Sequence, residues 1–162
     1  MKKIILTIAL ILYFGNANSQ INNLSDLLQV SSLSVYGLTE NLQYTWEILK
    51  PTEKYSEDGK KITGTYPFTY KKNNGQNQII FRYVTMFTHS NSENIELTKF
   101  VCNDLELLKR ILKNLPYKGF ELKGKQDGAS LYEDGNHMIT IQLVSNKNQK
   151  LPKGCYSIAV VY

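Results

Sequence analysis

Residues 103–115 read NDLELLKRILKNL, followed by Pro116. Leu105, Leu108, Leu112 and Leu115 recur at helical spacing, with Lys109, Arg110 and Lys113 off that stripe. Asn103 stands where an N-cap belongs, with Glu106 three residues on as in a capping box, and Pro116 stops the helix. Four strand-like segments follow: 119–123, 130–133, 138–144 and 155–162. The same order appears before it. Ser25 to Asn41 reads as one helix capped by Ser25, weakened by Ser31-Ser32-Leu33-Ser34 and with Gly37 able to kink or end it. Strands follow at 44–49, 62–70, 78–89 and 95–102, with 51–61 a charged loop, Asn74-Gly75 a hairpin turn and Pro67 marking an edge or bulge. The fold class is therefore α+β: a mostly antiparallel sheet built from two helix-plus-four-strand halves, 22–102 and 103–162, with both helices on one face.

Faint echoes support a duplication. Tyr44-Thr45-Trp46-Glu47-Ile48 and Lys118-Gly119-Phe120-Glu121-Leu122 each place an aromatic, a Glu and an aliphatic after the helix. Tyr70 precedes a turn and Ile79-Ile80-Phe81-Arg82-Tyr83-Val84. Tyr132 likewise precedes a turn and Met138-Ile139-Thr140-Ile141-Gln142-Leu143. This arrangement resembles the β-lactamase inhibitory proteins, which implies one continuous antiparallel sheet with both helices on one side. The chain is also similar to small secreted Bacteroidota proteins of unknown function. That similarity rests on the Ser19-Gln20 exit, the aromatic-Glu strand and the closing Tyr156-Ser157-Ile158-Ala159-Val160. It carries over no site residue.

The first 20 residues, MKKIILTIALILYFGNANSQ, have a basic start (Lys2, Lys3), an apolar run from Ile4 to Phe14 and a small, polar exit. They read as a signal peptide over 1–19 with cleavage between Ser19 and Gln20, leaving one domain, 20–162. The expected location is periplasmic or extracellular, with no span in the mature chain. Nineteen Lys and Arg face 14 Asp and Glu, and the basic residues fall in doublets rather than a stripe, which argues against a nucleic-acid partner.

Alternation assigns faces. Ile139, Ile141 and Leu143, with Ile80, Val84 and Met86, read as the helix side, and Arg82 falls there too. The other side then shows Phe81, Tyr83, Thr85 and Phe87. In 95–102, Ile95, Leu97 and Val101 read as core, which turns Phe100 outward. Phe81, Tyr83, Phe87 and Phe100 thus form a candidate binding face; the competing reading is that loops cover it.

Cys102 and Cys155 read as pointing to one face. They form either a disulfide or two buried, unpaired small hydrophobes. His89 and His137 lack metal-ligand spacing, no cofactor motif is present, and no catalytic residue is assigned. Glu47 and Glu121 match between halves, either as a paired-carboxylate site or as outward strand residues repeated by descent. The expected function is non-catalytic: an exported protein-binding module, inhibitor- or immunity-like, with an envelope or extracellular protein as partner. The alternatives are a small secreted hydrolase and a structural subunit of an envelope assembly.

Overall fold

Asn23, not Ser25, caps the first helix: its side-chain oxygen accepts from the N–H of Asp26 at 3.0 Å. The computed structural model describes residues 20–70, 77–88, 94–144 and 154–162, so the Asn74-Gly75 turn, His89 and Ser19 lie outside the described residues. The helix expected over 25–41 is two: α1 (Leu24–Ser32) and α2 (Val35–Leu42). The chain turns extended at Leu33 and Ser34, and Ser34 Oγ starts α2 by accepting from Gly37 N–H at 3.2 Å. Serine hydroxyls that bond the local backbone favour such a break over helix continuation. Gly37 lies inside α2.

Strands β1 (Trp46–Ile48) and β2 (Thr52–Tyr55) both pair with β3 (Lys61–Tyr70). β2 falls in the segment read as a loop; all four of its residues are exposed, so it shows no apolar alternation. Pro67 sits in the gap between these two partners, where its carbonyl accepts from Leu49 N–H at 3.0 Å; without an N–H it cannot return the second bond of that pair, and the β1 ladder ends there. Then come β4 (Gln78–Phe87), β5 (Ile95–Cys102), helix α3 (Leu105–Asn114), a 3-10 turn (Pro116–Lys118), β6 (Glu121–Gln126), β7 (Ala129–Glu133), β8 (Met138–Leu143) and β9 (Tyr156–Val161). The described residues thus hold three α-helices and nine strands in one sheet, ordered β1-β3-β4-β5-β9-β8-β7-β6 with β2 beside β3, every pair antiparallel. Five strands precede α3 and four follow it.

Asp104, rather than Asn103, caps α3, its Oδ1 accepting from the N–H groups of Glu106 and Leu107 at 3.0 and 3.1 Å. The buried stripe is correspondingly rotated. Leu107, Ile111 and Leu115 are fully buried, whereas Leu105 and Leu112 are exposed. The helix has apolar residues over a wide arc, and packing selects its centre.

One buried cluster joins Leu24, Leu27, Val30, Leu38, Leu42, Leu107 and Ile111 of the helices to Phe68, Ile80, Phe100, Ile139, Ile141, Ile158 and Val160 of the sheet. These strand residues are mutual register neighbours (Phe68 beside Ile80, Ile80 beside Phe100, Phe100 beside Ile158, Ile158 beside Ile141) and so share one side of the pleat, the core face. Several polar groups on that face find partners, although Trp46 Nε1 and Arg82 Nε have none. Gln78 accepts from Ile21 N–H at 3.0 Å and donates to Ile21 O at 2.9 Å, pinning the start of the described chain to β4. Arg82 is buried, as alternation required. Its guanidinium donates to Ser31 O and Leu33 O at 2.8 and 2.9 Å, satisfying carbonyls freed where α1 breaks.

Candidate functional site

Period-two alternation sends Phe81, Tyr83, Thr85 and Phe87 of β4 to the outer face, opposite the core face. All four are half-buried. The Phe81 and Tyr83 rings lie stacked, 6.2 Å apart at 26°. Lys61 Nζ stands 5.4 Å from the centre of the Phe87 ring, a cation–π arrangement. Between them the Thr85 and Thr63 hydroxyls share a hydrogen bond of 3.1 Å. Burial of Tyr83 pushes its phenol pKa up.

Register extends the face across the sheet. Tyr83 stands beside Leu97, Leu97 beside Val161, and Val161 beside Met138, an apolar row over β4, β5, β9 and β8. Phe81 starts a second row through Lys99, Ala159, Thr140 and Leu131 to Gly124. At its far end the outer face dips into an open depression of about 470 Å3 lined by Gly124, Gln126, Ala129, Leu131, Thr140 and Gln142 among others. The β6 register shift between Leu122 and Gly124 lies there, and Gly124 contributes no side chain to fill it.

The face thus gathers three of the four aromatics the sequence assigned to it. Phe100 is the exception. It is fully buried on the core face between Ile80 and Ile158, and Ile95, Leu97 and Val101 take the outer face instead. β5 has apolar residues in both phases. Its polar core-facing residues mislead because Thr98 and Glu96 are there to bond Arg82. Leu97, Val161 and Met138 were missed for the same reason: strand pairing, not composition, lines them up.

The cysteines are not joined. Cys102 lies opposite Tyr156 on the core face, whereas Cys155 precedes Tyr156 and continues the β8 pairing through the bond from Val144 N–H to its carbonyl. Both thiols are free and buried. Burial raises both thiol pKa values. Glu47 and Glu121 lie on the first and last strands of the eight-strand order. At a strand spacing of about 4.8 Å, the two carboxylates are about seven spacings apart, so they build no joint site. The Lys123 ammonium, hydrogen-bonded at 2.8 Å, lowers the Glu121 carboxyl pKa.

His137 has its Nδ1 2.8 Å from Asp134 Oδ2 and its ring edge-on to Tyr162, 4.6 Å away. Tyr162 in turn donates to Leu28 O, so the cluster ties the β7–β8 turn and β9 to α1. Among the described residues no group of three or more His, Cys, Asp or Glu is placed to hold a metal ion. No described helix is long and apolar enough to cross a membrane. No family model, curated protein or solved structure matches the chain.

Proposed function

We propose that this chain is an exported, non-catalytic protein-binding module of an inhibitor- or immunity-like kind. In this reading the helices all lie on the core face and the outer face of the sheet is the contact surface. The observation that carries it is the aligned Phe81, Tyr83 and Phe87, half-exposed and continued by Leu97, Val161 and Met138. Aromatic rings held rigid by a sheet lose little entropy on docking and present large apolar area.

Two further supports belong to the reading. Residues 1–19 have the pattern of an export signal, which places the partner in the envelope or outside the cell. The strand order is also mirrored about the β5–β9 seam, with β4 and β3 on one side and β8 and β7 on the other. A two-fold duplication, as in the β-lactamase inhibitory architecture, would produce that order.

A photo-crosslinking residue at Tyr83, compared with one at the exposed Tyr117 on the 3-10 turn, tests the proposal in the native envelope. A discrete adduct from position 83 that is absent from position 117 is the expected result. The same adducts from both positions, or none from position 83, would count against a contact surface on this face.

A further inference from the structure

On the outer face, the charges on the strands next to the aromatic line are basic. Lys54 is register partner to Thr63, Lys61 to Phe87, and Lys99 to Phe81, so all three lysines share the face with the aromatic line. Lys99 lies beside one end of that line and Lys61 beside the other. Their backbone positions are separated along the strands by six residues, about 20 Å. Strands β2, β3, β4, β5, β8 and β9 contribute no Asp or Glu to the outer face: Glu53 and Glu96 alternate to the other side, and Glu96 there bonds Arg82. Among the described residues this face carries carboxylates farther from the line, at Glu47 of β1, Glu133 of β7 and Glu121 of β6, and Asp127 lines its depression. None of the three lysines forms an ion pair with a carboxylate of the described residues.

We infer that the occupant of this face is an acidic protein segment, whose apolar side chains lie along Phe81, Tyr83 and Phe87 while its carboxylates meet Lys54, Lys61 and Lys99. The inference rests on the outer face being the contact surface. A partner of this charge is drawn in by the basic surround and registered by it, while the aromatic line holds it. A basic partner would bury like charges against one another.

Ile95 allows a sign test. It sits on the same face beside Thr85 and is 54% exposed, so a charge there is tolerated by the fold. The probe is a fluorescent random copolymer of glutamate and tyrosine, its binding to the purified protein followed by anisotropy at low salt. Ile95→Lys should tighten binding and Ile95→Glu weaken it, the two differing by about tenfold. Tyr117→Lys and Tyr117→Glu, the same charge changes at an exposed site off the sheet, should differ by less than about twofold, because screening limits charge effects over distance. Equal splitting at positions 95 and 117 would mean attraction to net charge alone and would overturn the inference. So would the absence of copolymer binding to the unsubstituted protein. Weakening by both Ile95 substitutions alike would leave the face as a docking surface and reject an acidic occupant. No effect of either substitution on a bound copolymer would place its binding off this face and overturn the inference, and, if position 83 also yields no crosslink, the binding reading with it.

Discussion

The guanidinium of Arg82 on β4 is paired with the carboxylate of Glu96 on β5, beneath the break between α1 and α2. A buried cation on a core face is unfavourable unless it is paired and its N–H groups find acceptors. Here Glu96, the Thr98 hydroxyl and the carbonyls of Ser31 and Leu33 answer both terminal nitrogens, and Nε alone is left without a partner. One side chain therefore couples the sheet to the point where the helical segment changes direction.

Arg82→Met should destabilise the fold by about 3–5 kcal/mol, since it strands two carbonyls and the Glu96 charge together. Glu96→Gln, which keeps an acceptor, should cost about 1 kcal/mol. Urea unfolding of both variants measures this; equal losses would show that the arginine's bonds to α1 contribute nothing.

Asp104→Ala should cost about 1 kcal/mol, because two N–H groups at the start of α3 lose their acceptor. Asn103→Ala removes only the 3.3 Å bond from Asn77 N–H among the bonds described here, and should cost less. The reverse ranking in thermal or urea unfolding would restore Asn103 as the cap.

Phe100→Ala opens a cavity in the core and should cost about 3–5 kcal/mol. Tyr83→Ala, at a half-exposed position, should cost roughly half as much and leave a folded protein. If Tyr83→Ala were the more damaging in urea unfolding, the outer face would be part of a second core.

Asp134 is subject to two opposing effects. Burial works to raise its pKa, and hydrogen bonds from the His137 ring and the N–H groups of Asn136 and His137 outweigh it, leaving the pKa lowered. A depressed folded-state value adds stability above the unfolded pKa of about 4, and that stability is lost as pH falls through the folded value. The stability gap between the natural chain and Asp134→Asn should therefore close on acidification below about pH 4. A gap that stays constant down to acid unfolding would contradict this.

Cys102 and Cys155 should resist alkylation in the folded protein, since burial disfavours the reactive thiolate of each. Both should react after unfolding without added reductant, as read by mass spectrometry. A reductant requirement would mean that the two are bridged.

Much of this architecture is legible along the chain. The helix before Pro116, the long β4 and the alternation of Ile139 and Ile141 each follow from local periodicity, and all are present. Phase was harder. β5 carries apolar residues on both parities, so Phe100 and Leu97 exchange faces between reading and structure. α3 carries leucines around a wide arc, so its buried stripe centres on Leu107 and Ile111 instead of Leu105 and Leu112. β2 gave no apolar signal, being exposed throughout.

Local sequence by itself determined the α+β class, the antiparallel strands, the outward direction of Phe81, Tyr83 and Phe87, and the inward direction of Arg82. Those follow from turn chemistry and side-chain periodicity, which act over a few residues. Only the tertiary structure decided that Phe100 is core, that Cys102 and Cys155 are buried as free thiols, and that Leu97, Val161 and Met138 form one row with Tyr83. The physical reason is register. A shift of one residue between β5 and β9 reverses every face, and what selects the register is the fit of Phe100 and Ile158 beneath the helices, a contact between residues far apart in the chain.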